Sequence, residues 1–312
     1  MESLKLSFEA VTPIFLMMFL GYLLRKSKFV EKKILDEMNK LVFKIFLPML
    51  LFYNIYGAKS VDIFDEKLVV FTLLAVFVIF ALGLLTVFLV TDDNRKRGVM
   101  LQGFFRSNFA ILGVPIVGYI CKDGSVGIAS LMVALVIPIY NVLAVISLEI
   151  FNGGNINFKK VLKGIATNPL IIGCILGVVF LGLRIKLPFV IEKTISDVSK
   201  VASPLAIVIL GGSFTFSSIR GYVKENLLVG LARLVVIPFV VLTIAEILGF
   251  SGEAFACLLV IFGGPIAVSS FSMAQQMGGD ETLAGQLVVL TSIGCVLTLF
   301  VWIFAFSSRG VI

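Results

Sequence analysis

The sequence contains no histidine. No His proton relay, His metal site or Ser–His hydrolase can be assembled from it. Charge is scarce: 14% of the 312 residues are charged and 59% are hydrophobic. An ordinary soluble domain is roughly 25% charged, so that class is excluded. Cysteine is rare, and Cys121, Cys174, Cys257 and Cys295 all fall in or at apolar segments without metal-ligand spacing. They are expected to be free thiols, with no metal and no cofactor implied. Intramembrane proteases need paired aspartates, a Ser–His pair or a His-rich zinc site. The apolar segments supply none of these, so the chain is not expected to be an enzyme.

Apolar runs of spanning length fill the chain instead. The fold class expected is an all-α integral membrane protein with ten transmembrane helices, at roughly 7–25, 37–57, 67–90, 98–121, 127–150, 162–182, 194–215, 223–248, 254–277 and 283–306. The first run lacks a basic leading segment and a small-residue cleavage site, and reads as a retained helix. The net charge of +7 would suggest nucleic acid in a soluble protein. Here the basic residues cluster in short loops, where orientation and anionic lipid headgroups explain them, and no nucleic-acid partner is expected. Thirteen of them, including Arg25, Lys26, Lys32, Arg95, Lys159 and Arg220, fall on one side; eight, including Lys5, Lys59, Lys67, Lys122 and Arg309, fall on the other. The richer side is assigned to the cytoplasm of a plasma-membrane protein, which puts both termini outside.

The chain repeats itself. Thr12-Pro13-Ile14 returns as Asn168-Pro169-Leu170, Gly21 as Gly177 and Pro48 as Pro204, each 156 residues on, and Asp123 as Asp280 at 157. Two repeats, 1–156 and 157–312, follow. Each holds an odd number of spans, so the second enters from the opposite side as an inverted repeat.

Two spans are interrupted. Phe104-Phe105-Arg106-Ser107-Asn108-Phe109-Ala110-Ile111-Leu112-Gly113-Val114-Pro115 carries a charge, two polar side chains, a glycine and a proline. Phe262-Gly263-Gly264-Pro265 through Ser269, Ser270, Ser272, Gln275 and Gln276 has the same character. Such backbone survives at membrane depth only where protein or a water-filled cavity covers it, and paired interruptions in two halves point to a transport site. Half-helix N-termini meeting at the midplane attract anions without any charged side chain. Pro115 and Pro265 suit the first turn of the second half-helices, although at the repeat offset Pro265 falls on Asn108, not on Pro115.

Ser107 and Asn108 are candidate substrate contacts, with interhelical hydrogen bonding as the other reading. Ser269, Ser270, Gln275 and Gln276 are their counterparts. Arg106 has two readings: it pairs a substrate carboxylate, or it snorkels to the nearer surface. Arg233 is expected to pair with another helix or to snorkel. Lys40 and Lys44 have the spacing for surface ion pairs with Asp36 and Glu37, and Glu149 and Glu246 are expected in solvent at span ends. Asn54 and Asn141 are possible cavity-lining residues.

Ser107-Asn108 through Gly113 and Pro115 resembles the S-N-x-x-x-x-G-x-P signature of the auxin efflux carrier family. Pro265-Ile266-Ala267 with Ala274-Gln275-Gln276-Met277-Gly278-Gly279-Asp280 resembles its ninth-span signature. The resemblance covers essentially the whole chain and fits the compact bacterial and archaeal members. It implies a bile-acid-sodium-symporter-like fold with crossed helices four and nine. Spans 1, 2, 6 and 7 would form a scaffold, and spans 3–5 and 8–10 a transport domain that moves like an elevator. It also implies a homodimer through the scaffold. Family substrate roles would fall on Asn108, Pro115, Pro265, Ser269 and Gln275. Sodium-coupled relatives use an acidic residue in the ninth-span crossover; none lies between Phe262 and Gly279. A weaker sodium site would have to use Asn108, Ser130 and Gln275. The expected function is secondary active or potential-driven transport of a small organic carboxylate anion. The alternatives are a sodium- or proton-coupled symporter, the latter needing a carboxylate such as Glu149, and a transporter-fold sensor.

Overall fold

The computed structural model describes residues 2–58, 65–121, 127–152 and 158–312. Their α-helices are α1 (Glu2–Lys26), α2 (Lys32–Leu41), α3 (Leu47–Tyr56), α4 (Glu66–Val90), α5 (Asn94–Phe105), α6 (Phe109–Ile120), α7 (Gly127–Phe151), α8 (Phe158–Thr167), α9 (Pro169–Gly182), α10 (Phe189–Ser213), α11 (Val223–Leu231), α12 (Ile237–Ile247), α13 (Gly252–Gly263), α14 (Ser269–Gln276) and α15 (Glu281–Ser307). No strand is present among the described residues. The fold of the described residues is all-helical, and helices are one of the two architectures whose backbone satisfies itself in lipid.

Loop residues set the helix starts. Asp65 accepts from the Leu68 N–H, Asp93 from Arg95, Asn168 from Leu170 and Asp280 from Leu283, at 2.9–3.1 Å. Each is a short polar side chain capping the orphan donors of a first turn. Among the described residues six helices are long and apolar enough to cross a bilayer, or seven if α8 and α9 count as one. The span expected at 162–182 is not straight: it bends by 60° between α8 and α9. Asn168 caps α9 and Pro169 occupies its first turn, so the sequence stops one helix and starts another. The spans holding Pro48 and Pro238 stay continuous. Each proline follows a π-helical turn, Val42–Phe46 or Ala232–Val236, that shifts the hydrogen-bond register ahead of the ring.

Contacts between chain ends sort the loops into two faces. On one, Lys32 meets Glu281 (3.1 Å), Lys96 meets Glu225 (2.7 Å), Lys224 reaches the Val90 carbonyl (3.1 Å) and Asp280 N–H the Arg95 carbonyl (3.1 Å). On the other, Arg309 meets Glu246 (2.8 Å), Gly252 N–H the Val311 carbonyl (2.9 Å) and Ala129 N–H donates to Glu253 (3.1 Å). The first face is the basic one. Lys59, Lys122 and Asp123, which entered the orientation and repeat arguments, lie outside the described residues.

Glycines let two helix pairs touch backbone to backbone. A Cβ on Gly21 of α1 would fall 1.9 Å from the Val208 carbonyl oxygen of α10, and one on Gly211 would fall 1.9 Å from that of Met18. A Cβ on Gly177 of α9 would fall 3.0 Å from the Phe52 carbonyl oxygen of α3. Gly177 and Val208 lie 156 positions after Gly21 and Phe52, so the α1–α10 contact and the α9–α3 contact use corresponding residues.

Candidate functional site

α5 ends at Phe105 and α6 begins at Phe109; α13 ends at Gly263 and α14 begins at Ser269. The two interruptions lie antiparallel, bridged at Ser107 and Ile266. The Asn108 N–H donates to the Pro265 carbonyl (2.8 Å), the Ala267 N–H to the Arg106 carbonyl (3.4 Å), and the Ile266 N–H to Thr291 Oγ1 of α15 (3.2 Å). Each break thus satisfies backbone groups that the other leaves without helical partners, as depth in the membrane demands. Neither proline occupies a first turn. Pro115 lies inside α6, seven residues after its N-cap Asn108, and Pro265 lies in the break before α14. Asn108 and Pro265, not the two prolines, are therefore the facing positions. The preference of proline for first turns is general and did not decide this case, because the break itself fixes where each half-helix starts.

Arg233 is fully buried behind the crossing. Its Nε donates to the Gly264 carbonyl (3.0 Å), Nη2 to Ile261 (2.7 Å), and Nη1 to Phe104 (3.3 Å) and Phe105 (3.4 Å). One guanidinium therefore caps the C-terminal ends of both α5 and α13. Those ends carry partial negative charge and unpaired carbonyls, which a cation in dry surroundings satisfies. Of the two readings open for Arg233, snorkelling is ruled out, and its partners are backbone carbonyls. A charge in mid-span was the available signal.

Arg106 does not snorkel either. It is 3% exposed and turns inward from the end of α5. Its Nη2 donates to Asn141 Oδ1 of α7 (2.6 Å) and to Ser269 Oγ in the first turn of α14 (3.0 Å); Nη1 donates to Gln102 Oε1 (3.1 Å) and Met273 Sδ (2.7 Å). All these partners are neutral. Asn141 is held in place in turn, its Nδ2 donating to the Ile137 carbonyl (3.0 Å) and to Cys174 Sγ (3.6 Å). Arg106, Ser107, Asn108, Tyr140, Asn141 and Ser269 form the polar wall of a cavity of ≈ 40 Å³. Its other wall comes from α3, α9 and α10 and is apolar at Leu47, Leu51, Leu170 and Ala206, with one hydroxyl at Ser203. Among the described residues no carboxylate lines it. Asn108 Nδ2 is buried there without a hydrogen-bonding partner, and Ser107 Oγ and Tyr140 Oη, which lie beside each other, are met by no other group. An unpaired buried polar group costs about 1–3 kcal/mol, so the cavity holds an unmet demand for a polar ligand or water.

The remaining candidates fall elsewhere. The Ser270 hydroxyl is buried without a partner, but Ser270 does not line the cavity. Gly113 packs against the Phe109 ring, and Pro115 is exposed. Asn54 is half-buried outside the cavity. Gln275 is bound at the basic face: its Oε1 accepts from Asn39 of α2 (2.5 Å), and its Nε2 donates to Asp36 (2.8 Å) and Glu281 (2.8 Å). Ser272 donates to the Asn39 Oδ1 (2.7 Å), and Gln276 ends α14 beside this cluster. Ser130 sits in the first turn of α7, toward the opposite face, so Asn108, Ser130 and Gln275 are not brought together. Asp36 bonds Gln275, while Lys40 pairs with Glu37 (3.7 Å). Sequence reasoning missed Tyr140 and the Asn39 cluster. Tyr140 sits in an unbroken apolar helix, and Asn39 meets a residue 236 positions away.

Residues 6–303 match the family described as membrane transport protein. An uncharacterized transporter of Methanocaldococcus jannaschii is 22% identical over 304 residues, covering 94% of this chain and 97% of its own. An uncharacterized transporter of Methanothermobacter thermautotrophicus is 24% identical over 303 residues, covering 95% and 97%. Together with the interrupted, apolar, all-helical architecture, the match over nearly the whole chain makes this protein a member of the membrane transport protein family, the family of the auxin efflux carriers.

Proposed function

We propose that this membrane transporter carries a small organic carboxylate, bound at the crossing of the two interrupted spans. The observation that carries this reading is the Arg106 guanidinium: buried, bonded only to neutral groups, and facing a cavity that also receives the N-terminal ends of α6 and α14. Two half-helix N-termini and a guanidinium with no carboxylate among its described partners form a positive site in a low-dielectric setting. The facing wall of Leu47, Leu51 and Leu170 favours an anion with an apolar body over an inorganic ion.

The cavity of ≈ 40 Å³ holds about three waters, too little for such an acid. Entry requires the apolar wall and the crossing to separate. That requirement supports alternating access in which α4–α7 and α11–α15 move against α1–α3 and α8–α10. The corresponding contacts Gly21–Val208 and Gly177–Phe52 support an inverted repeat, 1–156 and 157–312, behind ten crossings. Potential-driven flux needs no coupling ion: one charge crossing 100 mV gains about 2.3 kcal/mol. A homodimer through the scaffold and a plasma-membrane location with both termini outside complete the proposal.

Purified protein in liposomes, given labelled mono- and dicarboxylates under an imposed potassium diffusion potential, tests it. Saturable flux of one carboxylate class, lost in Arg106→Gln, is expected. Flux that survives Arg106→Gln unchanged, or flux of neutral solutes only, contradicts it.

A further inference from the structure

We propose that the groove between α1, α10 and α15 at the basic face is a binding site for one anionic phospholipid. Its acyl chain would lie along the helices and its phosphate among Arg25, Lys26 and Lys32. The groove of ≈ 360 Å³ is lined by Phe15, Phe19, Tyr22, Phe214, Val289 and Ile293, among other apolar residues. It follows α1 for about two turns, roughly 10 Å. Phe19 is 57% exposed and Ile293 51%, so the groove opens sideways, along the flank of the helices.

Tyr22 and Phe214 also line a second, polar cavity of ≈ 460 Å³, which continues from the end of the groove. Arg25, Lys26 and Lys32 stand around it. Glu281 is the one carboxylate among its described lining residues, and it is bound to Lys32 (3.1 Å) and Gln275 (2.8 Å). Lys26 lies over the Tyr22 ring at 5.7 Å, and Arg25 has no carboxylate partner among the described residues. The mouth therefore keeps a net positive charge directly above an apolar slot. Phe29, 80% exposed on the adjoining turn, marks this level as the headgroup region, where aromatic and basic residues anchor together.

An apolar slot ending in uncompensated cations matches one molecule with both parts, an anionic lipid. A soluble organic acid matches the mouth alone and leaves the slot unused.

Native mass spectrometry of the full chain released from detergent tests this, with phosphatidylglycerol and phosphatidylcholine of identical chains as probes and glycerol 3-phosphate as the chainless control. Phosphatidylglycerol is expected to be retained at least ten-fold more than phosphatidylcholine, and glycerol 3-phosphate not at all. Arg25→Gln with Lys26→Gln should bring the two lipids to equal retention. Ile293→Trp, which fills the slot, should remove both. All three positions are exposed, and an unchanged melting temperature checks that each variant folds. Equal retention of the two lipids by the unaltered chain overturns the proposal. So does a preference that survives the double substitution, or competition by glycerol 3-phosphate. Retention of neither lipid by a dimer that Ile293→Trp dissociates also overturns it, and assigns the groove to a second copy of the chain.

Discussion

The Asn108 N–H and the Pro265 carbonyl meet at 2.8 Å, joining two interruptions that are 157 residues apart in the chain. This bond and the Ala267–Arg106 bond beside it hold four half-helices in one arrangement. Two C-terminal ends gather on Arg233, and two N-terminal ends face the cavity containing Arg106. The crossing thus separates its dipoles, with the negative ends neutralised permanently and the positive ends left for a ligand.

Asn108→Ala should weaken carboxylate binding, and with it transport at limiting substrate, while leaving the fold intact. Its backbone makes the bridge to Pro265, which alanine keeps, and its Nδ2 has no partner to lose. Loss of one hydrogen bond to a charged ligand, about 1.5–3 kcal/mol, corresponds to roughly ten-fold weaker binding or more. Calorimetric titration with the transported acid checks it. Unchanged affinity would remove Asn108 from the site.

Arg233→Met should destabilise the protein by about 3 kcal/mol or more, since four buried carbonyls lose charged donors at once. Arg233→Lys should recover part of this, because a single ammonium cannot span both helix ends in the guanidinium geometry. Thermal unfolding in a fixed detergent reads both. A methionine variant as stable as the parent would mean the clamp contributes nothing.

Gly21→Ala should be severely destabilising, because its Cβ would sit 1.9 Å from the Val208 carbonyl oxygen and the α1–α10 contact must open. Gly230→Ala, where a Cβ meets nothing within 4 Å, should be neutral or stabilising by up to about 1 kcal/mol. The same unfolding assay compares them, and equal effects would contradict the close-contact account.

Asn39 and Gln275 hold α2 to α14 through a 2.5 Å hydrogen bond, reinforced by Asp36, Ser272 and Glu281. If α14 travels against α2 during transport, a disulfide between Asn39→Cys and Gln275→Cys should stop flux, and reduction should restore it. Full flux in the cross-linked protein would mean that these helices move together.

The interruptions were legible because glycine, proline and polar residues stood inside apolar runs, a conflict that only buried or cavity-lining backbone resolves. The facing of Asn108 and Pro265 was also present in the repeat offset; it was obscured by the tendency of proline to begin helices. The role of Arg233 was not legible. Its acceptors are backbone carbonyls at Phe104, Phe105, Ile261 and Gly264, and side-chain pattern does not encode which helix ends converge. Gln275 stands in a signature-like stretch of sequence, yet its side chain is held by α2 and the start of α15. That outcome depends on helix rotation, which adjacent Gln275 and Gln276 left open. The bend at Asn168 was readable as an Asn-Pro cap but was masked by the hydropathy of the whole segment.

The most direct test of the anion site is thermal stabilisation of the purified protein across mono- and dicarboxylates, with and without sodium, in the parent and in Arg106→Gln. A ligand at a hundred times its dissociation constant adds about 2.7 kcal/mol to the folded state. The account predicts a rise in melting temperature with one carboxylate class, independent of sodium and absent in Arg106→Gln. A rise that persists in Arg106→Gln, or no rise with any acid while neutral solutes stabilise the protein, would contradict it.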